Sequence, residues 1–253
     1  MTAEPVDLSI IIPAYNEADR LPPTLAAVGA FLRERPWRSE VLVIDDGSTD
    51  GTAAIAQKAA GPALPLLRVI SLGGNQGKGA AVKCGVASAR GAVIGFVDAD
   101  FPFALDGIDL AMARLAAGAD LVIGGRDLPG SSEVEGYGWA RRMSGQVYSV
   151  LVNALAVERI PDTQCGFKWF RAVAARDLFA RVTLSGFAFD VELIVLAQRR
   201  GLRIDRIPVR FTHSNDSKMR LVRDSTRMFW DLLTINRRRA RGVYDPPPGA
   251  GGG

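Results

Sequence analysis

Apolar segments alternate with helical segments along the first half of the chain. The apolar segments are short and uninterrupted, as buried strands are, and lie at Leu8–Ile12, Val41–Ile44, Leu67–Ser71, Ala92–Val97 and Asp120–Ile123. Pro13 is expected to end the first strand. Helical patterns between the strands cover Thr24–Arg35, residues 52–60, Lys78–Ala89 and Asp106–Ala117. Strands without polar alternation that take turns with helices predict an α/β fold, with a mainly parallel central sheet and helices on both faces.

The second half of the chain has a less regular pattern. It predicts helices at Trp139–Val157, Ala172–Ala180, Asp190–Arg200 and Leu221–Arg239, and strands at Cys165–Phe170 and Arg203–Ile207. Residues 243–253 contain three consecutive prolines and a run of glycines, which cannot bury a core, so we expect a disordered tail there. The predicted organisation is one domain over residues 1–215, a basic amphipathic helix within 216–242, and the tail over 243–253.

The composition narrows the class of protein. A chain of 253 residues that is 48% hydrophobic and 23% charged can form a full globular core. Its two cysteines, Cys84 and Cys165, cannot build a disulfide framework, which favours a reducing, cytoplasmic location. Residues 1–7 lack the signature of a signal peptide, and no run of about 18 apolar residues occurs. We therefore expect no transmembrane segment.

The net charge of +4 is concentrated near the end of the chain. Eight Lys or Arg residues and two Asp residues lie between Lys218 and Arg241, so this segment carries +6 and the remainder carries −2. Apolar residues recur at helical spacing in the same segment, which is typical of a helix that lies on an anionic membrane surface. The alternative is a helix packed on the domain with a solvated basic face. No recognised nucleic-acid-binding module accompanies the arginines, so we expect no nucleic-acid partner.

Candidate chemistry is found where the predicted strands end. Asp98–Ala99–Asp100 follows the fourth strand, and alternation along an extended chain places the two carboxylates on the same side. Such a pair suits Mg²⁺ or Mn²⁺ shared with a diphosphate, whereas an isolated pair is more often a solvated turn. Three further polar segments follow the first, second and third strands: residues 13–17, 45–48 and 74–79. Ligands of open α/β sheets bind at these carboxyl ends.

Two common phosphate-binding templates do not fit the chain. A Walker A loop would need a glycine where Leu72 stands and a Ser or Thr in place of Gly79. A Rossmann fingerprint would follow the first strand, where the chain has Pro13–Ala14–Tyr15 instead. A nucleotide, if bound, must be held in another way.

The four segments together resemble the inverting GT-A glycosyltransferases of family 2. The likeness lies in the order and spacing of IIPAYNE (11–17), VIDDGSTD (43–50), NQGKG (75–79) and DAD (98–100), and it covers about the first 130 residues. DTQCGFK (162–168) and GFAFDVE (186–192) resemble the dolichyl-phosphate β-glucosyltransferase branch, which is related to dolichyl-phosphate mannose synthase. With these two segments the resemblance extends to about residue 236.

The resemblance implies a GT-A fold and metal-dependent, inverting transfer of a hexose. The favoured donor is UDP-glucose and the acceptor is a polyprenyl or dolichyl phosphate, handled by a peripheral enzyme on the cytoplasmic face of a membrane. The alternatives within the fold are GDP-mannose as the donor or a soluble acceptor. A non-catalytic nucleotide-sugar-binding module is the alternative from another class.

The resemblance also implies roles for individual residues. Those on the nucleotide-sugar side are Pro13, Tyr15, Glu17, Asp45, Asp46, Lys78, Asp98 and Ala99. Asp98 and Asp100 would hold Mg²⁺ or Mn²⁺, and the catalytic set adds Arg126 and Asp162. The acceptor phosphate would be met by Arg126, Arg141, Arg142, His213, Ser217 and Lys218. Roles without ligand contact stay open for three of these side chains: a turn cap for Asp45, a solvated lysine for Lys78 and a structural histidine for His213. Asp190 is either an acid of the site or a helix cap.

Overall fold

The computed structural model describes residues 4–100, 105–133, 160, 162–163, 165–211 and 221–245. Its strands are β1 (Val6–Ala14), β2 (Ser39–Asp45), β3 (Leu67–Ser71), β4 (Gly91–Phe96), β5 (Leu121–Gly125), β6 (Ser132–Glu133), β7 (Lys168–Arg171), β8 (Ile204–Pro208) and β9 (Arg210–Phe211). Its helices are α1 (Leu21–Arg33), α2 (Thr52–Lys58), α3 (Lys78–Ser88), α4 (Gly107–Ala116), α5 (Ala172–Arg181), α6 (Phe189–Arg199) and α7 (Leu221–Ala240). The predicted elements are confirmed with their ends shifted by a few residues, except that the helix predicted at Trp139–Val157 lies outside the described residues.

Seven of the strands form one sheet in the order β3-β2-β1-β4-β7-β5-β8. The strands from β3 to β4 are parallel to one another, and β5 is parallel to β8. Strand β7 lies between β4 and β5 and runs antiparallel to both. The predicted α/β fold with a mainly parallel sheet is therefore confirmed. Because β7 runs in the opposite direction, the residues that precede it lie at the same edge as the carboxyl ends of its neighbours.

Pro13 does not end the first strand, contrary to the prediction. Strand β1 continues to Ala14, whose carbonyl accepts a hydrogen bond from the amide of Asp46 beyond β2. The carbonyl of Ile11 faces the other neighbour and accepts from Val97. Alternation along the strand turns Pro13 toward β4 as well, but β4 has already ended at that level. The missing N–H therefore leaves no ladder bond unmade.

Helices cover both faces of the sheet, as predicted. On one face α3, α5 and α6 bury a cluster in which the Phe96 ring packs against Phe170 and Phe189. On the other face α1, α2 and α4 pack over a cluster that contains Ile12 and Trp169. The site described below is thus held on a sheet that is buried on both sides.

The C-terminal helix α7 packs on the first of these clusters. Leu232 and Ile235 are fully buried there, while Phe229 and Trp230 are 42% and 63% exposed. Tyr244 is also buried, so the prediction of a disordered tail from residue 243 is wrong for residues 243–245. The cause is a hydrogen bond from the Tyr244 phenol to Glu192, which the sequence pattern does not reveal. None of the helices that the structure describes has the length and apolarity needed to cross a membrane.

A buried carboxylate ties β1, β2 and β4 together at the edge opposite their carboxyl ends. Glu40 is fully buried and accepts hydrogen bonds from the Ser9 hydroxyl, the Arg90 amide and the side chains of Arg90 and Arg68. Burial opposes the ionised form, but the hydrogen bond from Ser9 and those from Arg90 outweigh it and hold the pKa of Glu40 below its ordinary value. Ionised Glu40 therefore stabilises the fold.

Replacing Glu40 by glutamine should lower the free energy of unfolding by about 2–3 kcal/mol at pH 7, the range for hydrogen bonds to a charged group. A carboxylate with a depressed pKa stabilises the fold above its unfolded pKa of about 4.3, and this contribution is lost as the pH falls through the lower folded value. The difference between the two proteins should therefore shrink below about pH 4. Urea unfolding at several pH values measures it, with Glu34→Gln, on an exposed carboxylate, as the control. A difference independent of pH would contradict the assignment.

Candidate active site

Polar segments meet at the carboxyl edge of the sheet. Residues 15–17 follow β1, residues 46–50 follow β2, residues 72–77 follow β3 and residues 97–100 follow β4. Residues 162–167 arrive at the same edge because they lead into the antiparallel strand β7. The edge therefore brings together the four segments singled out in the sequence and a fifth from far along the chain.

Two carboxylates at the carboxyl end of β2, Asp45 and Asp46, shape the neighbouring turns. Both oxygens of Asp46 accept backbone hydrogen bonds across the gap to the β3–α3 turn, from Gln76 at 2.7 Å and Gly77 at 2.9 Å. Burial raises the pKa of Asp46, the two amides oppose the rise, and the neighbouring Asp45 adds to it. Asp45 accepts the Ser48 amide at 3.1 Å, which is the turn cap foreseen as its alternative role. Both side chains are buried, and their visible contacts fix loops.

A second feature of the β3–α3 turn is its close contact with residues 184–186. Gly77 has a φ of 102°, and a Cβ atom there would collide with the Ser185 carbonyl. The Gly79 amide donates to the same carbonyl at 2.8 Å. A side chain at either glycine would push α3 away from this segment. The first residue of α3, Lys78, is fixed by the contact.

The carboxylates after β4 are each paired with a cation. The Lys78 ammonium lies 2.6 Å from Oδ1 of Asp98, and the Arg20 guanidinium lies 3.5 Å from Oδ2 of Asp100. Arg20 also contacts Glu17 at 2.6 Å, so it joins the segment after β1 to the segment after β4. Ala99, between the two carboxylates, is buried, and its carbonyl accepts from the Thr24 hydroxyl of α1. The pair is thus held from two sides.

The electrostatics of this cluster show two like charges held together. Burial raises the pKa of Asp100, and the adjacent Asp98 raises it further, against the opposing effect of Arg20 and Lys78. Burial would lower the pKa of Lys78, but Asp98 and then Asp190 and Asp100 reverse this and raise it. Lys78 therefore stays charged near neutral pH, while the carboxylates need positive charge beside them.

These side chains fit a divalent cation that shares its ligands with a substrate. No cluster of three or more Asp, Glu, His or Cys residues is arranged to hold a metal within the described ranges, so a closed all-protein site is not found there. Two carboxylates suit Mg²⁺ or Mn²⁺ when water and diphosphate oxygens complete the coordination shell. Asp98 and Asp100 follow the same strand and are each paired with a cation, which is the chemistry such a donor pair requires.

A buried lysine positions the segment that arrives before β7. Lys168 is fully buried, and its ammonium donates to the carbonyls of Thr163 and Cys165 at 2.9 and 2.8 Å and lies 2.7 Å from Asp190. The ammonium thus has three oxygen partners, two through hydrogen bonds and one through an ion pair. A Cβ atom at Gly166, the residue that follows Cys165, would collide with Oδ2 of Asp98. Lys168 thus holds a glycine backbone directly against the carboxylate pair.

The surroundings of Asp190 rule out the helix cap as its role, and the surroundings of Cys165 define the state of its thiol. Helix α6 begins at Phe189 and Asp190 lies in its first turn, so Asp190 is not the N-cap but the buried partner of Lys168. Cys165 is buried as well. Burial, with the nearby charge of Asp162, raises the pKa of its thiol to about 12, which keeps the thiol protonated.

Arg126 and Asp162, both predicted as site residues, form an ion pair with one another. Nε and Nη2 of Arg126 donate to the two oxygens of Asp162 at 2.8 and 2.7 Å, and the Arg126 amide donates at 3.0 Å. Burial would raise the pKa of Asp162, but these bonds lower it. The Arg126 side chain keeps about a third of its surface exposed. The geometry places a fixed cation just beyond the end of β5.

The structure assembles most of the predicted residues and leaves some outside its described part. Tyr15 is exposed, and Pro13 and Glu17 beside it are half-buried. This exposure is what a surface for a flat base requires. The predicted acceptor residues that lie outside the described residues are Arg141, Arg142, His213, Ser217 and Lys218. Two residues of the cluster, Arg20 and Lys168, were missed. The signals for them were a Glu17–Arg20 spacing of three before a helix and a lysine inside an apolar strand.

Solved structures with the same fold are known. A mannosyl-3-phosphoglycerate synthase from Rubrobacter xylanophilus superimposes with a TM-score of 0.69 at 22% identity, covering 96% of this chain and 77% of that one. Glucosyl-3-phosphoglycerate synthase from Mycobacterium tuberculosis, in complex with Mn²⁺, UDP and glucosyl-3-phosphoglycerate, gives a TM-score of 0.67 at 19% identity, covering 96% and 82%. These likenesses confirm the GT-A fold and, at such identities, nothing finer.

Sequence relatives and a family model identify the chain more closely. The dolichyl-phosphate β-glucosyltransferase of Drosophila melanogaster is 36% identical over 247 residues, which span 92% of this chain and 73% of that protein. The proteins of the same name from Saccharomyces cerevisiae and Homo sapiens are 32% and 33% identical, over 95% and 94% of this chain and 77% of each relative. The model of glycosyl transferase family 2 matches residues 9–179. The chain belongs to glycosyl transferase family 2 and is a glycosyltransferase.

Proposed function

We propose that this glycosyltransferase transfers glucose from UDP-glucose to a polyprenyl or dolichyl phosphate, with inversion at the anomeric carbon and with Mg²⁺ or Mn²⁺. The observation that carries the proposal is the shared name of relatives that are 32–36% identical over more than nine-tenths of the chain. The cation–carboxylate cluster around Asp98 supports the donor half. The product is a β-linked glucosyl phospholipid.

The donor's nucleotide end is assigned to the segments after β1 and β2. Pro13, Tyr15 and Glu17 line the base, together with Asp45 and Asp46. Since both Asp46 oxygens already hold the β3–α3 turn, its main task is to shape the pocket. Lys78, at the start of α3, faces the diphosphate. The amino end of a helix adds a favourable field for that anion.

The sugar end of the donor lies by the carboxylates after β4. Asp98 and Asp100 would hold Mg²⁺ or Mn²⁺, which supplies Lewis-acid neutralisation of the charge that builds on the departing UDP. Lys78 adds a fixed positive charge on the same side, because Asp98 keeps its ammonium within 2.6 Å. The backbone at Gly166 closes the cluster from the β7 side, where a side chain would collide with Oδ2 of Asp98.

The acceptor phosphate is already an anion near neutral pH. One of its oxygens can attack the anomeric carbon, forming a C–O bond on one face while the bond to UDP breaks on the other, so a strong general base is unnecessary. The harder task is to bring two anions together, which requires cations. Arg126, fixed by Asp162 and partly exposed, is the described cation best suited to meet the acceptor. The remaining candidates are Arg141, Arg142, His213, Ser217 and Lys218.

Helix α7 is the part of the chain proposed to contact the membrane. Its inner residues Leu232 and Ile235 are used by the core, so only the outer side is available. Phe229 and Trp230 are exposed there, and Arg237 and Arg239 follow in the last turns, on either side of the inward-facing Arg238. An aromatic pair beside several arginines suits the interface of an anionic bilayer, where each basic residue contributes about 1 kcal/mol. The contact is peripheral and reversible.

A donor–acceptor matrix tests the proposal. The full chain is incubated with Mg²⁺ or Mn²⁺ and either UDP-glucose or GDP-mannose, each with a short polyprenyl phosphate, with 3-phosphoglycerate or with no acceptor. Mass spectrometry identifies the product, and NMR of its anomeric proton gives the configuration. We expect a β-glucosyl phospholipid from UDP-glucose alone, lost with EDTA and restored by metal. A product only from GDP-mannose would overturn the proposed donor, and a product only with 3-phosphoglycerate would overturn the proposed acceptor. An α-linked product would overturn the proposed inversion.

A further inference from the structure

A second buried carboxylate joins the C-terminal helix to a loop near the site. Glu192 of α6 is fully buried, and its Oε2 accepts the amides of Thr183 and Leu184 at 2.9 and 2.8 Å. Its Oε1 accepts the Thr183 hydroxyl, the Tyr244 phenol at 3.0 Å and the Arg238 guanidinium at 3.2 Å. Five donors therefore converge on one carboxylate, and two of them come from α7 or the residues that follow it.

The loop that Glu192 holds is the one that contacts the β3–α3 turn. Residues 182–186 follow α5, and the Ser185 carbonyl in this segment accepts the Gly79 amide. Lys83 of α3 donates to the Val182 carbonyl at 2.8 Å, so the segment is fastened to α3 at two points. The close approach at Gly77 leaves little room for the turn to move independently. Lys78, whose ammonium pairs with Asp98, stands between Gly77 and Gly79 in this fastened turn.

We propose that Glu192, Arg238 and Tyr244 act as positioning residues for Lys78, so that the docked C-terminal helix sets the affinity of the site for a nucleoside diphosphate. The proposal rests on the proposed function in one respect, that Lys78 faces the donor diphosphate. It assigns a second task to α7, whose outer side is proposed to meet the membrane.

The chemistry of the network favours positioning over simple packing. Two apolar side chains of similar volume would join α6 to α7 at least as well, because a buried carboxylate carries a large desolvation penalty. Apolar contact has no direction, whereas both Glu192 oxygens fix the backbone amides at 183 and 184 in one geometry. Burial and the nearby carboxylate raise the pKa of Tyr244, so the phenol remains a donor. What the network specifies is therefore the place of the 182–186 segment.

The test removes the two donors of the C-terminal helix from Glu192. The variant R238M/Y244F is compared with Ile235→Val, which weakens the packing of the same helix by about 1 kcal/mol without touching the network. The dissociation constant of UDP with Mn²⁺ is measured by calorimetry well below the unfolding temperature. We expect about a fivefold or greater rise for R238M/Y244F and less than a twofold change for Ile235→Val. Glu192→Gln, which keeps the shape of the side chain, serves if the double variant does not fold.

A double-mutant cycle separates positioning from general destabilisation. In a Lys78→Met background the same R238M/Y244F change should alter UDP affinity less than twofold, because the residue acted upon is gone. Equal weakening in both backgrounds, or an unchanged affinity with only a lower melting temperature, overturns the inference.

Hydrogen exchange gives a readout that does not depend on the ligand. The amides of residues 77–81 should exchange faster in R238M/Y244F than in Ile235→Val. If UDP binds no form of the protein while exchange differs as expected, the proposed function fails and the mechanical link stands. If exchange at these amides is the same in both variants, the link fails whether or not UDP binds.

Discussion

Asp98→Asn should reduce the rate of glycosyl transfer by a factor of about a thousand or more. The substitution keeps the size of the side chain but removes the charge that pairs with Lys78 at 2.6 Å and that, with Asp100, would hold Mg²⁺ or Mn²⁺. Loss of one preorganised electrostatic group at a reacting centre typically costs 10²–10³ in rate, and here a metal ligand and a lysine partner are lost together. Initial rates with UDP-glucose and a polyprenyl phosphate, followed by mass spectrometry, measure the effect.

A neighbouring carboxylate outside the cluster provides the control for this prediction. Asp106, just before α4, is exposed and pairs with Arg210 on the surface. Asp106→Asn makes the same chemical change, and we expect it to leave the rate within about twofold and the melting temperature nearly unchanged. Both variants should fold, because Asp98 keeps part of its surface in solvent. If Asp98→Asn retains more than a tenth of the parent rate, the carboxylate pair is not the reacting centre.

Lys168→Met should lower the free energy of unfolding by about 3–5 kcal/mol, the range for breaking a buried ion pair by removing one partner. The ammonium is fully buried, donates to two carbonyls and lies 2.7 Å from Asp190. Without it the carboxyl is left buried near Asp98, and burial already raises the pKa of Asp190. A carboxyl with a raised pKa destabilises the fold as the pH rises through that value, so the loss should be greater at pH 8 than at pH 5. Urea unfolding at the two pH values measures it.

Two further variants sharpen the test of Lys168. The double variant Lys168→Met/Asp190→Asn removes the unpaired buried charge. Its loss of unfolding free energy should be smaller than the sum of the losses in the two single variants, because the two residues are in contact. Lys58→Met, on an exposed lysine at the end of α2, should change stability by less than about 0.5 kcal/mol. Strict additivity in the pair would show that the ion pair is not what holds the segment before β7.

The sequence predicts well where the candidate donor-side segments lie in the fold, because the patterns that place them are local. Strands β1 to β4 are apolar runs, and each ends in a polar segment whose position follows from the parallel order of the sheet. Asp98 and Asp100 follow β4 as predicted, and Lys78 opens α3 at its predicted first residue. The turn cap made by Asp45 was foreseen as an alternative for the same reason, since it bonds a residue three positions away.

What the sequence does not predict depends on contacts between distant segments. That β7 lies between β4 and β5 follows from packing, and the tasks of Gly166 and Lys168 at the site follow from that placement. Arg20 acquires its role by joining Glu17 to Asp100, 80 residues away. Tyr244 was assigned to a disordered tail because no local pattern shows that its phenol reaches Glu192. Local patterns predict helices and strands and where they end. Contacts between side chains that are distant in the sequence are seen only in the assembled fold.

The order of the central sheet also bears on how the chain folds during synthesis. Strand β4 pairs with β1 on one side, but its other neighbour, β7, is synthesised about 70 residues later. At 5–20 residues per second, several seconds pass in which β4 is an apolar edge strand with unpaired backbone groups, a state prone to aggregate. A fragment that stops before β7 would keep this edge permanently. The nascent chain should therefore depend on chaperone shielding until residue 171 has left the ribosome, and full-length refolding should be slow for its size.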